Sequence, residues 1–392
     1  MTRAMCGLAL AAGLMGCLWG RAQGAEGWKD LYVGGKDWRG WHTVGGGEWS
    51  IGGGEIIGKT GDGRYGWLVT DEVYADFILE LECRHEGWGN SGIQFRSHVI
   101  EGTMHGWQAD FERKLSEGAN GVWDEAGKER WLALPKGEAA RAVKPDDWNR
   151  YRIQAIGDHV KVWINGIPTV EFRDKQFTRG IIALQVHSGK EPPVHVRWRN
   201  IRIRVLDENE GFRSLFDGKS LAGWRVAGKE PWKVENGEIV AQCRQGAEYC
   251  YLVSEDSYDD FYAKLKFRYE SGTGNSGFFF RSSIEGVDIR GPQAEIAPRN
   301  GQHTGLVYES GGRGWLNLKE WDKLKDAVYR PDEWNIMEVQ AIGPRVVVHV
   351  NGWPVSDFSD ERLPRQGRLA LQMHSGEAMK IRFKDLYIRT LK

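Results

Sequence analysis

The sequence predicts an all-β protein made of two tandem β-sandwich domains. Three observations carry this prediction: the second half of the chain repeats the first, apolar residues recur at every second position, and Asn-Gly pairs separate such segments. Alternation with period two is typical of strands that bury one face, and Asn-Gly between two strands favours a hairpin turn. About a dozen short strands per half, with helical periodicity only at residues 319–327, favour sandwiches of antiparallel sheets.

The internal repeat predicts the domain organisation. Matching segments begin at Gly89 and Gly274 (GNSGIQFRS and GNSGFFFRS), at Gly106 and Gly291 (GWQADF and GPQAEI), at Asn120 and Thr304 (NGVWDEAGKERWL and TGLVYESGGRGWL, aligned without a gap), and at Ile182 and Leu369 (IALQVHSG and LALQMHSG). Offsets of 184 to 187 residues exclude a short-period solenoid. We therefore expect residues 25–206 to form the first domain and residues 207–392 the second, with the acidic run 207–210 at the boundary.

The first 24 residues are similar to a secretory signal peptide. Arg3 precedes an apolar stretch at residues 4–15, and Ala22-Gln23-Gly24 fits a small-x-small cleavage site. These features predict a secreted or periplasmic protein. The alternative is a lipid anchor at Cys17, because residues 14–17 approximate a lipobox. No later segment has the 18 or more apolar residues typical of a transmembrane helix.

Composition and cysteine content narrow the function classes. The 53 basic and 54 acidic residues leave a net charge of −1, which argues against a nucleic-acid partner. Cys83 is predicted to be a buried thiol, whereas Cys243 and Cys250, seven residues apart around a predicted turn, could form a disulfide. No cofactor motif and no metal-ligand spacing stand out, although a structural Ca²⁺ stays open. The 19 Trp residues are consistent with a carbohydrate site, with core anchors, or with both.

Strand alternation also locates a candidate site, because a strand that buries one face turns its other side chains outward. The outward set of the first domain is Arg96, Gln108, Asp110, Gln185 and His187, and that of the second is Arg281, Gln293, Glu295, Gln372 and His374. The gapless alignment adds Glu125 and Glu309 as a matching carboxylate pair. Outward polar residues usually form a solvated face. Histidine, carboxylate and arginine together, however, suit acid–base chemistry on a polyol.

Several motifs resemble those of the 3-keto-disaccharide hydrolase family. They are LFDGKSLAGW from Leu215, GNSGFFFRS from Gly274, PDEWN from Pro331, the Asn-Gly pair at Asn351, and LQMHSG from Leu371. The resemblance recurs in both repeats, although the first copy departs at its opening, LYVGGKDWRGW from Leu31. It implies concanavalin A-like jelly-roll sandwiches, and an enzyme that cleaves glycosides already oxidised to a ketone at C3 of the sugar.

Such a ketone acidifies the hydrogen at C2, so that a base can form an enolate and expel the aglycone from C1. Net hydrolysis follows if water then adds to the product. The reaction requires a base, a donor to the enolate oxygen and an acid at the leaving group. We assign His187, His374, Asp110 or Glu295 as the base, Arg96 and Arg281 to the enolate, and Glu125 and Glu309 to the leaving group. Gln108, Gln185, Gln293 and Gln372 would bind hydroxyl groups.

Two other function classes fit the same residues. A non-catalytic carbohydrate-binding protein would use the tandem domains for avidity. A direct glycoside hydrolase would need two carboxyl groups about 5–10 Å apart, for which Asp110 and Glu125 are candidates. A carbohydrate is the expected partner in every case.

Overall fold

The computed structural model describes residues 27–61, 63–87, 89–115, 118–125, 129–189, 193–298, 303–318 and 328–391. These residues form four antiparallel sheets, two in each half of the chain, which confirms the predicted all-β class and the two β-sandwich domains. The predicted signal peptide at residues 1–24, the lipid-anchor alternative at Cys17 and the helical segment at residues 319–327 lie outside the described residues.

The first domain contains fifteen of the described strands. They are β1 (Trp28–Tyr32), β2 (Trp41–Gly45), β3 (Glu48–Gly52), β4 (Glu55–Lys59), β5 (Gly66–Thr70), β6 (Phe77–His85), β7 (Asn90–Ile100), β8 (Thr103–Glu112), β9 (Val122–Glu125), β10 (Arg130–Ala133), β11 (Asn149–Ile156), β12 (His159–Ile164), β13 (Ile167–Arg173), β14 (Ile181–Val186) and β15 (His195–Val205). A 3-10 helix, Gly137–Arg141, lies between β10 and β11.

The second domain contains the other fifteen. They are β16 (Arg213–Ser214), β17 (Trp224–Ala227), β18 (Trp232–Glu235), β19 (Glu238–Cys243), β20 (Cys250–Tyr258), β21 (Phe261–Gly272), β22 (Ser276–Glu285), β23 (Asp288–Ile296), β24 (Val307–Ser310), β25 (Gly314–Trp315), β26 (Asn335–Ile342), β27 (Arg345–Val350), β28 (Trp353–Ser359), β29 (Gly367–Met373) and β30 (Met379–Thr390).

Each domain packs a site sheet against a back sheet. The site sheets have the strand orders β10-β9-β8-β7-β14-β5-β2 and β25-β24-β23-β22-β29-β20-β17, which are equivalent strand for strand. The back sheets have the orders β13-β12-β11-β6-β15-β4-β3 and β28-β27-β26-β21-β30-β19-β18, with β1 and β16 added beside β15 and β30. The equivalence of the two topologies means that each strand of one domain has a counterpart in the other.

The alternating apolar residues fill one core between the sheets of each domain. In the first domain this core includes Phe77, Leu79, Leu81 and Cys83, the inward residues of β6, and the burial of the Cys83 thiol confirms its prediction. The predicted Asn-Gly hairpins are also confirmed. Asn165 and Gly166 have φ angles of 53° and 84° between β12 and β13, as a type I′ turn requires.

The Cys243–Cys250 disulfide that the sequence left open does not form in this structure, in which both thiols are free and buried. The two cysteines end and begin strands of different sheets, β19 in the back sheet and β20 in the site sheet. The two thiols donate to different backbone carbonyls. Cys243 donates to the carbonyl of Glu377 at 3.5 Å, and Cys250 donates to that of Glu230 at 3.3 Å.

The two domains pack through a buried interface. Arg179 of the first domain is buried, and its Nη2 lies 2.6 Å from Glu208 and 3.6 Å from Glu338 of the second half. The Trp353 ring of β28 packs against His98 and Phe177, with ring centroids 5.4 Å apart in both pairs. A cavity of about 480 Å³ lies between the domains, and it contains none of the predicted site residues.

Candidate functional site

The outer face of each site sheet carries a row of four residues that are cross-strand neighbours. In the first domain the row runs Trp67, Gln185, Gly92 and Asp110 across β5, β14, β7 and β8. In the second domain it runs Tyr251, Gln372, Gly277 and Glu295 across β20, β29, β22 and β23. We call this arrangement the cross-strand row. The strand alternation therefore placed Gln185, Gln372, Asp110 and Glu295 on the correct face.

These polar residues do not form a solvated surface. The outward side chains Gln108, Asp110, Gln185, Gln293, Glu295 and Gln372 are only 1–6% exposed. An outward strand position with a buried polar side chain indicates a ligand site more strongly than strand alternation alone does.

The central glycine of the row makes room for the glutamine side chains. A Cβ atom at Gly277 would lie 2.6 Å from Gln293 Oε1 and 3.4 Å from Gln372 Oε1. A Cβ at Gly92 would collide with the Gln108 side chain in the same way. The glycine of the Asn-Ser-Gly motif is thus required because at least one glutamine side chain lies over its backbone in each domain.

The other two residues of that motif hold the row together. Ser91 donates from its hydroxyl to the Gln185 carbonyl at 2.7 Å, and Ser276 does the same to Gln372 at 2.8 Å. Asn90 donates to Asp110 Oδ1 at 2.6 Å, and Asn275 donates to Glu295 Oε1. In the first domain the motif begins β7.

Burial raises the pKa of both carboxyl groups. The pKa of Glu295 is raised to about 7 by desolvation, against the opposing hydrogen bonds from Asn275 and from Gln293, whose Nε2 lies 2.9 Å from Oε2. The pKa of Asp110 is also raised to about 7, by desolvation and by the negative charge of Glu112. A carboxyl group with a pKa near neutrality can both accept and release a proton under ordinary conditions.

Several hydrogen-bond acceptors at the site have no donor. Within the described part of the chain, Oε1 of Gln185, Gln293 and Gln372 and Oδ1 of Asn90 and Asn275 are buried without a hydrogen-bond partner. An unsatisfied buried acceptor costs about 1–3 kcal/mol. Hydroxyl groups of a ligand would satisfy these atoms.

Each predicted histidine follows the glutamine of the row by two residues and is bonded to a tyrosine. Tyr65 Oη is 2.9 Å from His187 Nε2, and Tyr249 Oη is 3.0 Å from His374 Nε2. Each Nδ1 lies 2.9 Å from the carbonyl of the next residue, Ser188 or Ser375. The tyrosine rings stack on Trp67 and Tyr251, with interplanar angles of 9° and 3°.

A second aromatic pair lies on the opposite side of the cross-strand row in each domain, and we call the outer face of the sheet between the two aromatic groups the cleft of that domain. Trp123 packs edge-on against Trp131 with centroids 5.2 Å apart, and Tyr308 packs against Trp315 in the same manner at 5.2 Å. In the second domain the aromatic residues enclose a cavity of about 500 Å³, which Asn275, Gln293, Glu295, Gln372 and His374 also line. This volume is in the usual range for a small-molecule site.

The prediction that Arg96 and Arg281 face the site is wrong. Both residues have a φ of 48° and lie at irregularities of β7 and β22, where the extra residue interrupts the alternation. The Arg96 side chain is buried and bonds to carbonyls of Ala75, Gly157 and Phe177. Arg281 Nη2 lies 2.7 Å from Asp260 Oδ1. Both arginines connect the two sheets of their domain rather than binding a ligand.

The predicted pairing of Glu125 with Glu309 is also wrong. In the sheets, Trp123 pairs with Gln108, and Tyr308 pairs with Gln293, so Trp123 and Tyr308 occupy equivalent positions. The gapless alignment instead matches Trp123 with Val307 and is therefore wrong by one residue in this segment. Glu125 therefore corresponds to Ser310. It faces Gln94 Nε2 at 3.5 Å, and its pKa is raised by burial. Glu309 points away from the cleft and pairs with Arg313 at 2.5 Å, which lowers its pKa.

The first cleft thus contains a second carboxylate that the second cleft lacks. Gln94 Nε2 donates to Gln108 Oε1 at 2.9 Å and extends the amide network toward Glu125. At the position of Gln94 the second domain has the buried Phe279.

Among the described residues, no group of three or more His, Cys, Asp and Glu side chains is arranged to hold a metal ion.

Sequence reasoning missed Tyr65, Tyr249 and the Trp123 and Tyr308 positions. The signal for the tyrosines was present in the repeat, because YGWLVT from Tyr65 matches YCYLVS from Tyr249. The Trp123 and Tyr308 match was hidden by the gapless alignment.

Comparison with solved structures finds low similarity to several single domains. A candidate glycosyl hydrolase from Parabacteroides distasonis ATCC 8503 is 23% identical with a TM-score of 0.35, over 48% of this chain and 99% of that chain. The carbohydrate-binding module CBM66 from Bacillus subtilis is 18% identical with a TM-score of 0.33, over 42% and 94%. A Bacillus subtilis protein of unknown function with a galectin-like fold is 11% identical with a TM-score of 0.36, over 46% and 94%. At these values the likeness carries no argument about activity.

No curated protein sequence matches the chain significantly. No helix in the described ranges is long and apolar enough to cross a membrane. Residues 27–204 and 211–389 each match the 3-keto-α-glucoside-1,2-lyase-like domain, and together they include most of the chain. Membership of this family indicates a carbohydrate-related function. The chain therefore belongs to the family of 3-keto-α-glucoside-1,2-lyase-like domains and carries two copies of that domain in tandem.

Proposed function

We propose that the protein cleaves 3-keto-glycosides by removing the proton at C2 and eliminating the aglycone from C1. The observation that carries this proposal is the pair of buried carboxyl groups, Asp110 and Glu295, with pKa values of about 7 beside unpartnered amide acceptors. The amide acceptors fit the hydroxyl groups of a sugar. The pKa values of the two carboxyl groups fit a base that acts near neutral pH.

The carboxylate removes the proton from C2. The electron pair of the broken C2–H bond forms the C2–C3 double bond of an enolate. The C1–oxygen bond then breaks, the electrons move to the aglycone oxygen, and the ketone at C3 is restored beside a C1–C2 double bond. Addition of water across that bond gives the 3-keto-sugar, and the overall result is hydrolysis.

The donor to the enolate oxygen is not an arginine, because Arg96 and Arg281 lie away from the clefts. We assign this role to the first position of the cross-strand row. Trp67 Nε1 has no hydrogen-bond acceptor among the described residues, and burial raises the pKa of Tyr251, which keeps its phenol protonated. Both side chains offer a hydrogen-bond donor at the same place on the sheet.

Direct hydrolysis by two carboxylates is a weaker candidate. It fits only the first domain, because Ser310 stands where Glu125 would be required in the second domain.

The test compares a 3-keto-glucoside with the unoxidised glucoside, using the full chain and a variant with Asp110→Asn and Glu295→Gln. We expect cleavage of the oxidised substrate only, and a loss of about 100-fold or more in the variant. Equal cleavage of the unoxidised glucoside would support direct hydrolysis. Binding of either glycoside without cleavage would support a purely carbohydrate-binding protein.

A further inference from the structure

We infer that Tyr65 and Tyr249, each coupled to its histidine, transfer the second proton of the reaction at the aglycone oxygen. This inference rests on the proposed elimination, which leaves the C2 proton on the carboxylate and requires another group at the leaving oxygen. It assigns the acid role to a residue pair that both clefts share.

The hydrogen bonds of each histidine determine where its proton lies. Nδ1 of His374 is 2.9 Å from the Ser375 carbonyl, which can only accept, so Nδ1 carries a proton. In the neutral ring Nε2 is then an acceptor, and the hydroxyl of Tyr249 donates to it at 3.0 Å. His187 and Tyr65 have the same arrangement.

This arrangement has two proton states that differ in what the phenol offers to the cleft. When the imidazole is neutral, the phenol proton is directed at Nε2, and the phenol oxygen can accept a proton from water. When the imidazole is protonated, Nε2–H donates to the phenol oxygen, and the phenol proton is free to be donated elsewhere. The pair can therefore release a proton to the leaving oxygen and recover one from the water that adds later.

The position of the tyrosine suits contact with an aglycone. Tyr249 is 36% exposed at the edge of the cavity, whereas Glu295 is buried on its floor. Its ring lies 6.2 Å from the parallel ring of Tyr251 and 4.7 Å from the ring of His374. The two ring contacts hold the Tyr249 ring at the edge of the cavity.

Among the residues that the structure describes, no other titratable group fills this role in both domains. Glu125 has Ser310 as its counterpart, and Glu309 is held by Arg313 outside the cleft. Asp288 lines the second cavity but is exposed and pairs with Arg290. In the proposed step the phenol proton moves to the aglycone oxygen as the C1–oxygen bond breaks, and the Nε2 proton moves to the phenol oxygen.

The test measures kcat/KM for two 3-keto-glucosides, one with a nitrophenyl aglycone and one with a simple alkyl aglycone. The nitrophenolate needs no acid to leave, and the alkoxide does. For the variant Tyr65→Phe with Tyr249→Phe we expect a loss of about 100-fold on the alkyl substrate and little change on the nitrophenyl substrate. His187→Gln with His374→Gln should give the same pattern.

Tyr74→Phe is the matched control, because it removes a phenol that bonds to Glu72 outside the clefts, and it should leave both rates unchanged. Equal losses on both substrates, or no loss on either, would overturn the inference while the proposed function stands. If the wild-type chain cleaves neither substrate, the proposed function fails, and the inference fails with it.

Discussion

At the scale of single residues, burial decides what Glu295 and Asp110 can do. Both carboxylates accept hydrogen bonds from an asparagine, which stabilise the charged form, yet desolvation outweighs these bonds and raises each pKa to about 7. Glu309 shows the opposite balance, because Arg313 lies close to it and lowers its pKa. Two glutamates of one domain thus differ in chemistry because of their surroundings.

This difference predicts how stability depends on pH. The folded-state pKa of Glu295, about 7, lies above its usual value of 4.5, so wild-type stability falls as pH rises between these values. Glu295→Gln does not ionise. Relative to the wild type, its free energy of unfolding should therefore rise by up to about 3 kcal/mol between pH 4 and pH 8.

Denaturant unfolding at several pH values measures this effect. Glu309→Gln is the control with the opposite sign, because the pKa of Glu309 is lowered and its carboxylate stabilises the fold above the usual carboxyl range. A difference between Glu295→Gln and wild type that does not change with pH would contradict the account.

At the scale of strands, the sequence predicts the site as far as the regular alternation extends. Gln185, Gln372, Asp110 and Glu295 lie on uninterrupted stretches, and their faces were predicted correctly. Arg96 lies at an irregular position of β7, where alternation no longer assigns a face. The sequence of one chain contains no signal that the strand becomes irregular at Arg96. It therefore does not predict that the Arg96 side chain lies between the two sheets.

The register error at Glu125 has a similar cause. Trp123 pairs with Trp131, eight residues on, whereas Tyr308 pairs with Trp315, seven residues on. An alignment without a gap matches the second aromatic residue and misplaces the first. Turn length between two short strands is weakly specified by sequence, so only the sheet pairing resolves it.

The Asn-Ser-Gly segment gives a prediction at this scale. Gly92→Ala with Gly277→Ala should displace Gln108 and Gln293, because the new methyl groups occupy the space of those side chains. We expect kcat/KM on a 3-keto-glucoside to fall by up to about 100-fold, since small displacements of positioning groups are costly. Gly52→Ala on β3 is the control, where a Cβ meets only the flexible end of Ile57 at 3.0 Å. Unchanged activity in the double variant would show that the amides do not position the substrate.

At the scale of the whole molecule, two clefts with the same core differ in their surroundings. Both have a buried carboxyl group, a glutamine and a Tyr–His pair. The first cleft adds Gln94 and Glu125, where the second has Phe279 and Ser310. If both clefts bind a glycoside as proposed, they offer it equivalent chemistry but different contacts to the rest of the molecule.

If the two clefts act independently, the rate of the wild type is the sum of the rates of its two clefts. The rate of Asp110→Asn plus that of Glu295→Gln should equal the wild-type rate, because each variant retains one intact cleft. Steady-state rates on several 3-keto-glycosides measure this, and the share of each domain should vary with the aglycone. A single variant that abolishes all activity would show that one domain does not catalyse the reaction.

The central claim is that a buried carboxylate removes the proton at C2. The most direct measurement is NMR spectroscopy of the product formed from a 3-keto-glucoside in D₂O, with an enzyme-free sample as the reference. We expect a product that either lacks the C2 hydrogen as an enone or carries deuterium there after hydration. A product that retains its original hydrogen at C2, together with equal cleavage rates for the substrate and its C2-deuterated form, would contradict this mechanism, because the aglycone would then leave without deprotonation.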